Sequence, residues 1–363
     1  MRYIDEFRNK KLILRYAERI SRMMPSRQIN IMEVCGTHTQ NFCRFGLAKI
    51  LPQNLRLIAG PGCPVCVSHQ GYIDAAIDLA GRPDTVVVTF GDMLRIPGSR
   101  SSLEKTRAKF GSLRVAYSPL ESIGIARACP EKKIVFLAVG FETTAPAIAL
   151  TISAARKQKI KNLFFLTALK LIPPAMEYLA QDKRLKLDGF LCPGHVSAII
   201  GSKAYAVLSG KYRLSCCVAG FEPLDILEGL YFLLCRINRR QAGVDNQYSR
   251  VVRNNGNPQA LRIMRRVFVR QDAQWRGLGK IPQSGLVVRQ EFSQFDAEKV
   301  FRLRPRTQDP GPKTQCRCGD VLKGLIAPSA CRLFGRACKP ASPVGSCMVS
   351  NEGACNAHYR YNR

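Results

Sequence analysis

The sequence predicts an α/β protein with two βαβ-type domains, mostly parallel sheets and a small cysteine-rich C-terminal domain. Short apolar runs alternate with amphipathic helical segments through the first two thirds of the chain, which is the pattern of βαβ units. The length of 363 residues is enough for two or three domains. Residues 316–363 hold six cysteines but few apolar runs, so they need a covalent or metal link to fold.

Eight strands are expected before residue 237, with amphipathic helices between them. The predicted strands are Ile29–Val34, Leu55–Ala59, Thr85–Phe90, Leu113–Tyr117, Ile134–Val139, Asn162–Thr167, Gly189–Leu191 and Cys216–Ala219. The predicted helices include Gly71–Ala80, Pro119–Ala128, Pro146–Lys157, Pro173–Ala180 and Asp225–Arg236. Eight strands fit two sheets better than one. We therefore expect domains at 1–117, 118–237 and 238–363, with a breaker-rich linker at 305–312.

Composition limits the classes of function. Hydrophobic residues make up 46% and charged residues 23%, which are ordinary globular values. No apolar run reaches the roughly 18 residues of a membrane helix, and the N-terminus lacks a signal-peptide core. We therefore expect a cytoplasmic protein with reduced thiols and no membrane partner. The fifteen cysteines then indicate metal binding, redox work or nucleophilic catalysis rather than a disulfide framework.

The net charge of +30 is not uniform along the chain, and residues 236–306 hold sixteen Lys and Arg against five Asp and Glu. Four arginines there are expected on one helical stripe: Arg262, Arg265, Arg266 and Arg270. A solvated basic face, an acidic docking partner and RNA are the three explanations. Nucleic acid is disfavoured because no ladder of aromatic residues accompanies the arginines and the single tryptophan, Trp275, stands alone.

Cys35 follows the first predicted strand, in the segment VCGTHT at 34–39. The carboxyl end of a strand is the usual place for a site in an α/β sheet. Backbone N–H groups at a helix start lower the pKa of a thiol, and His38 is expected to add to that effect. A Cys35–His38 pair is compatible with a nucleophilic enzyme. The alternative is a buried cysteine beside an N-capping threonine.

A second cysteine motif, GPGCPVC at 60–66, follows the second strand. Cys63 and Cys66 form a C-x-x-C pair between a strand and a helix, which is typical of a dithiol that cycles with a disulfide. Two cysteines cannot saturate a metal. The pair is therefore expected to act in redox chemistry or to share an ion with Cys35, a purely structural role being the alternative.

The C-terminal tail holds a third group of cysteines: Cys316, Cys318, Cys331, Cys338, Cys347 and Cys355. Thiolates are soft ligands that suit zinc or iron–sulfur clusters. Zinc sites usually show two close pairs of cysteines, whereas here only Cys316 and Cys318 are close. The wide spacing favours a [4Fe–4S] cluster, although zinc and no metal remain open, and the ferredoxin spacing is absent.

Two further strand ends offer polar side chains. In GFETT at 140–144, Glu142 is a candidate for moving a proton, and Thr143 or Thr144 is a candidate helix cap. The alternative is a capped helix with a solvated glutamate. His195 in PGH at 193–195 is more often structural than a base. Parallel strand ends meet at one sheet edge, so we expect several of these groups to converge on one crevice.

Taken together, the motifs resemble those of the HypD-type hydrogenase formation proteins. The matching segments are CGTHT at 35–39, GPGCPVC at 60–66, GFETT at 140–144, PGHVS at 193–197, GFEP at 220–223 and NQY at 246–248. In the tail, Cys316, Cys331, Cys338 and Cys355 give the spacing C-x14-C-x6-C-x16-C, similar to the family's [4Fe–4S] motif. The resemblance extends from about residue 10 to residue 361.

The resemblance implies a scaffold for assembling the Fe(CN)2CO unit of [NiFe]-hydrogenase, rather than a conventional turnover enzyme. It implies two α/β domains and a third domain whose four matching cysteines bind the cluster. Cys35 and a small HypC-like chaperone would hold the iron, a HypE-like partner would donate cyanide, and Cys63 with Cys66 would relay electrons from the cluster. We further expect Thr143 and Thr144 to donate hydrogen bonds to the cyanide nitrogens.

The sequence departs from the family at a few positions. Cys66 is followed by VSHQ at 67–70 instead of Val-Thr-Pro, and TALK at 167–170 lacks the usual Asn-His. Cys318 and Cys347 lie outside the four-cysteine pattern. Two other functions stay open: an iron–sulfur-linked protein disulfide reductase that uses Cys63 and Cys66, and an RNA-binding module with a zinc tail. Only the scaffold needs Cys35 as a third thiol.

Overall fold

The computed structural model describes residues 5–110, 112–303 and 315–361. Its strands are β1 Ile29–Glu33, β2 Leu55–Ala59, β3 Thr85–Thr89, β4 Leu113–Val115, β5 Lys133–Gly140, β6 Leu163–Lys170, β7 Gly189–Pro193, β8 Ser215–Ala219, β9 Val244–Asn246, β10 Phe268–Trp275 and β11 Gly279–Val288. All eight strands predicted from apolar runs are present, so the local patterns were interpreted correctly.

The helices of the described residues lie before, between and after these strands. They are α1 Lys10–Met23, α2 Gly36–Arg44, α3 Gln70–Ala80, α4 Leu103–Phe110, α5 Glu121–Ala128, α6 Ala145–Lys157, α7 Ile172–Ala180, α8 Gly194–Ile200, α9 Ala206–Tyr212, α10 Pro223–Asn238, α11 Pro258–Val267, α12 Ala297–Val300, α13 Cys318–Leu322 and α14 Ala354–Tyr361. Among the residues described, no helix has the length and apolar character needed to cross a membrane.

The strands form two sheets, which confirms the α/β fold with mostly parallel strands. Sheet A has the order β2-β1-β7-β8-β9, and every neighbouring pair in it is parallel. Sheet B has the order β10-β11-β6-β5-β3-β4, in which β6, β5, β3 and β4 are parallel. The ribbon of β10 and β11 adds to its edge in antiparallel orientation.

The chain does not complete one sheet before it starts the other. β1 pairs with β7 through Ile31 and Gly189, although β3 to β6 of sheet B lie between them in sequence. Each segment flanking the expected boundary at 117/118 therefore contributes strands to both sheets. Apolar runs mark where strands lie, but the choice of a distant partner depends on tertiary packing, which the runs do not encode.

The arginine-rich segment after residue 237 also joins the two sheets. β9 extends sheet A, and β10 and β11 extend sheet B. No strand was expected here, because half of the residues of β10 are exposed at the edge of the sheet and no apolar run marks it. Arg270 lies in β10 rather than on α11, so the expected single helical stripe of arginines is wrong. The expected linker at 305–312 lies outside the described residues.

The cysteine-rich tail is held by the main core. Val321, Leu322 and Met348 of the tail join a cluster of buried residues that includes Met32 of sheet A and Trp275 of sheet B. Burial of apolar surface therefore connects the tail to both sheets. This packing positions the tail cysteines against the loops that follow β1 and β2.

Candidate metal and thiol site

Cys35 lies at the N-cap of α2, two residues after β1 ends at Glu33. The N–H of Gly36 donates a 3.0 Å hydrogen bond to the carbonyl of Gly62 in the loop after β2. A Cβ atom on Gly62 would lie 2.5 Å from the backbone of Cys35, so only glycine fits at this position. The turn at Cys35 and the loop that carries Cys63 are therefore in direct contact.

The thiol of Cys35 is buried, and its pKa is not lowered as the helix start suggested. Burial, with a smaller contribution from the nearby carboxylate of Glu352, raises the pKa of Cys35 to about 12. The N–H groups of Thr37 and His38 act in the opposite direction but do not compensate for burial. In the metal-free protein the thiol is therefore protonated at neutral pH.

His38 supports the turn instead of activating the thiol. Its Nε2 lies 2.8 Å from the carbonyl oxygen of Gly220, which can only accept, so Nε2 donates. Burial lowers the pKa of His38 to about 4, so the imidazole is neutral at physiological pH. The ring packs beside Phe221, with 5.1 Å between centroids. A neutral ring adds no positive charge near Cys35, so the expected stabilisation of a thiolate by His38 is wrong.

Two carboxyl groups that the sequence did not single out flank this turn, Glu33 being buried and Glu352 half-buried. Glu33 is the last residue of β1, and burial raises its pKa to about 8, which the hydrogen bond from Thr39 only partly offsets. Glu352 lies in the tail and accepts a 2.8 Å hydrogen bond from the hydroxyl of Thr37. No motif marks either residue, because their role depends on how the tail packs against α2.

Cys63 and Cys66 are both buried at the start of a run of neighbouring thiols. The Cys66 thiol is in hydrogen-bonding contact with the thiols of Cys347 and Cys63, which together with burial raise the pKa of Cys66 well above its ordinary value. Ser346 fixes this contact, because its hydroxyl donates a 2.7 Å hydrogen bond to the carbonyl of Cys66. The dithiol therefore meets the tail directly at Cys347.

The six tail cysteines line one small cavity, which we call the cysteine chamber. Its thiols belong to Cys316, Cys318, Cys331, Cys338, Cys347 and Cys355, and Val321, Leu333, Phe334 and Met348 supply apolar walls. Cys347 contacts Cys318, Cys355 and Cys66. Cys347, whose role the sequence left open, thus lies between the dithiol and the rest of the chamber, and Cys318 joins Cys347 to Cys316. All fifteen cysteines of the chain are free thiols.

The donors around the chamber fit an iron–sulfur cluster in their chemistry. Thiol groups alone, in an apolar enclosure, are the usual ligands of [4Fe–4S] clusters. Among the described residues, no three His, Cys, Asp or Glu side chains converge on the position of a single ion.

A family model for HypD, described as the hydrogenase formation hypA family, matches residues 11–362. The chain belongs to the HypD family. Curated relatives include the hydrogenase maturation factor HypD of Azotobacter vinelandii, 45% identical over 372 residues, which cover 100% of this chain and 97% of that protein. The protein of the same name from Escherichia coli is 39% identical over 368 residues, which cover 99% of this chain and 98% of that protein.

A further relative carries a related name. The hydrogenase expression/formation protein HupD of Azotobacter chroococcum is 45% identical over 372 residues, which cover 100% of this chain and 97% of that protein. The similarity therefore includes both sheets and the cysteine-rich tail of the HypD fold.

The HypD-like motif GFETT lies at the end of β5, but its side chains point in different directions. Phe141 stacks on Trp275, with 6.0 Å between ring centroids. The backbone of Trp275 forms an isolated antiparallel β-bridge with Ser68, which follows the dithiol in the chain. Glu142 instead lines a cavity of about 550 Å³, and its Oε1 accepts a 3.0 Å hydrogen bond from the N–H of Ile172. Burial raises the pKa of Glu142 to about 7.

The two threonines of this motif do not cap the following helix. Thr143 is exposed and Thr144 is half-buried. Within residues 112–303, the side chain of Thr144 makes no capping hydrogen bond at α6, so the predicted cap is wrong. His195 stacks on Phe221 with 4.0 Å between centroids, which places it in the same aromatic cluster as His38.

The departures from the HypD pattern are accommodated by local hydrogen bonds. The hydroxyl of Ser68 donates a 3.0 Å bond to the carbonyl of Pro64, which closes the dithiol loop. His69 caps α3 by accepting a 3.1 Å bond at Nδ1 from the N–H of Gly71.

Proposed function

We propose that this chain is a scaffold and redox factor for assembly of the Fe(CN)2CO unit of [NiFe]-hydrogenase, rather than a conventional turnover enzyme. Cys35 and a cysteine of a small HypC-like chaperone hold the iron, and a HypE-like partner donates the cyanide groups. Membership of the HypD family and the names of the curated relatives support a role in hydrogenase formation. Fifteen free thiols suit a reducing cytoplasm.

The observation that carries this proposal is the run of contacting thiols from Cys63 to the cysteine chamber, together with the backbone hydrogen bond that joins the Cys35 turn to the loop of Cys63. Gly36 binds the loop that carries Cys63, Cys63 contacts Cys66, and Cys66 contacts Cys347 of the chamber. Low-spin iron with cyanide and carbonyl ligands needs a soft thiolate and a source of electrons. The run provides both within one connected region.

In this proposal, Cys316, Cys331, Cys338 and Cys355 hold a [4Fe–4S] cluster. The bound cluster supplies electrons one at a time. Cys63 and Cys66 take up two electrons when their disulfide becomes a dithiol. The chain contributes the enclosure: Leu333, Phe334 and Met348 keep water from the chamber, and Cys347 joins it to the dithiol.

Iron binding at Cys35 requires that the buried thiol lose its proton. Metal ions bind the thiolate and displace the proton, so affinity for iron rises with pH. The carboxylate of Glu352 lies close to Cys35 and takes up this proton, whereas Glu33, with a pKa of about 8, already holds its own proton at neutral pH. Thr143 and Thr144 donate hydrogen bonds to the cyanide nitrogens, for which their uncapped hydroxyls are suited.

Infrared spectroscopy of the complex with the HypC-like chaperone tests the role of Cys35. Cys35→Ser is expected to retain the cluster and the dithiol but to lose the cyanide and carbonyl bands. Cys43→Ser, a buried cysteine on the same helix, is the matched control and should keep the bands. Bands of normal intensity in Cys35→Ser would show that another residue holds the iron.

Burial of the dithiol disfavours the alternative of a protein disulfide reductase. Cys63 is 3% exposed and Cys66 is 0% exposed, so a protein disulfide has no direct approach to either thiol. Metal analysis of anaerobically purified protein separates the scaffold from an RNA-binding module with a zinc tail. About four iron and four sulfide per chain support the scaffold, whereas one zinc without sulfide supports the module.

A further inference from the structure

Arg276 is a buried cation in the turn between β10 and β11. Only 8% of the residue is exposed. Its backbone N–H donates to the carbonyl of Val67 at 2.9 Å, and its Nη2 donates to the carbonyl of Pro97 at 2.6 Å. Its Nη1 is buried without a hydrogen-bond partner in residues 5–110, 112–303 and 315–361. A buried guanidinium with an unused donor is costly unless something else accepts the hydrogen bond.

Among the described residues, no side-chain carboxylate supplies the missing acceptor. Asp320 is the one acidic residue that lines the same cavity in the described chain, and its carboxylate is already paired with Arg317 at 2.8 Å. The described residues contain no ion pair that involves Arg276. The positive charge of Arg276 is therefore balanced by neither of its two carbonyl acceptors, which are neutral.

Arg276 faces a cavity of about 460 Å³ outside the cysteine chamber, which we call the Arg276 pocket. Its walls include Gln70, Ser99, Trp275 and Ser346, and the glycines Gly277, Gly279, Gly319 and Gly345 leave it open. This volume lies within the range of sites for small molecules. Arg276 lines this pocket and is absent from the wall of the chamber.

The Arg276 pocket adjoins the chamber at the two cysteines nearest to solvent. Cys316 and Cys318 line both cavities and are only partly buried, whereas the other four tail cysteines are buried. The pKa of each of these two thiols is raised overall, and the charge of Arg276 opposes this only weakly. A molecule in the pocket would therefore cover the outer wall of the chamber.

We infer that the Arg276 pocket binds a small molecule through a carboxylate or another oxyanion group, which pairs with the charge of the Arg276 guanidinium above Cys316 and Cys318. A charge-assisted contact of this kind offsets the unbalanced charge. The inference does not depend on the assembly function, because it rests on the pocket and on Arg276 alone. A ligand bound in the Arg276 pocket shields Cys318 from reagents in solution.

Fluorescence of Trp275, the only tryptophan of the chain, reports on this pocket. The full chain, purified anaerobically, is titrated with succinate or with sulfate at constant ionic strength. A saturable change with either anion, and none with neutral succinamide, is expected. A response to succinate alone identifies an organic carboxylate as the ligand class, and a response to both identifies oxyanions in general. Absence of saturation with both anions overturns the inference.

Matched variants assign the binding to Arg276. Arg276→Gln is expected to raise Kd at least tenfold and to abolish protection of Cys318 from N-ethylmaleimide, measured by mass spectrometry. Arg262→Gln, at an exposed arginine on α11, should leave both unchanged. An unchanged Kd in Arg276→Gln overturns the assignment. If Arg276→Gln does not fold, the wild-type chain is crystallised in the presence of selenate. An anomalous peak beside Arg276 is expected. Peaks only at other places would contradict the inference.

Discussion

The hydroxyl of Thr37 donates a 2.8 Å hydrogen bond to the carboxylate of Glu352, 315 residues further along the chain. This contact joins the cysteine-rich tail to the turn that carries Cys35. It also brings a negative charge close to a buried thiol, where the local dielectric is low and charges interact strongly. The tail therefore affects the chemistry of Cys35 as well as forming the cysteine chamber.

Removal of the Glu352 charge is expected to lower the pKa of Cys35. Glu352→Gln removes the repulsion that favours the thiol form, whereas Thr37→Val keeps the charge and removes a hydrogen bond that favours the thiolate. The two variants should therefore shift the pKa of Cys35 in opposite directions. The pH dependence of iodoacetamide labelling at Cys35, followed by mass spectrometry on iron-free protein, measures both. A shift in the same direction would contradict this electrostatic account.

Substitution of Gly62 is expected to separate the two cysteine loops. Gly62→Ala places a Cβ atom 2.5 Å from the backbone of Cys35, so one loop must move. Forcing an extra methyl group into a packed site costs about 1–3 kcal/mol in the free energy of unfolding. Gly124→Ala on α5 is the control, since a Cβ atom there meets nothing within 4 Å. Denaturant unfolding should show a lower free energy of unfolding for Gly62→Ala and no decrease for Gly124→Ala.

The sequence predicted the local structure well but not the long-range contacts. The strands of sheet A were visible as apolar runs, whereas the pairing of β1 with β7 was not. Cys35, Cys63 and Cys66 were found because each follows a strand end. Glu352 and Arg276 were missed, since an isolated charged residue becomes part of a site only when distant segments bury it.

Burial of Glu142 is expected to make the stability of the protein fall between about pH 4.5 and 7. The unfolded chain loses this proton near the ordinary pKa of 4.5, whereas the folded chain retains it up to a pKa of about 7. The folded state thus binds more protons in this window, and the free energy of unfolding decreases as the pH rises. Above pH 7 the loss is complete.

Glu142→Gln tests this effect because its amide oxygen can still accept the hydrogen bond from Ile172. The variant should be more stable than the wild type at pH 8, by on the order of 2–3 kcal/mol in the free energy of unfolding. At pH 4 the difference should vanish. Urea unfolding at both pH values measures it, and equal differences at pH 4 and pH 8 would exclude titration of Glu142 as the cause.

Cys347 is expected to connect the dithiol with the chamber without being one of the four predicted cluster ligands. Cys347→Ser should keep about four iron per chain but slow the reduction of the Cys63–Cys66 disulfide by at least tenfold when dithionite is added. Cys331→Ser should lose the iron itself. Cys129→Ser, outside this run of thiols, is the control. Alkylation and mass spectrometry at fixed times measure the dithiol, and an unchanged rate in Cys347→Ser would exclude Cys347 from the path.

Hydrogen bonds from the hydroxyls of Thr143 and Thr144 are expected to affect the cyanide bands in the infrared spectrum of the assembled iron unit. The double variant Thr143→Val, Thr144→Val keeps the β-branched shape at both positions but removes both donors. Loss of hydrogen bonds to the cyanide nitrogens should shift the cyanide bands while the carbonyl band moves less, because only the nitrogens accept these bonds. Thr151→Val, on the same helix with its hydroxyl bonded to the carbonyl of Ala147, is the control and should leave all bands in place. Cyanide bands at their normal positions in the double variant would refute this role, because they would show that no hydrogen bond to the cyanide groups had been lost.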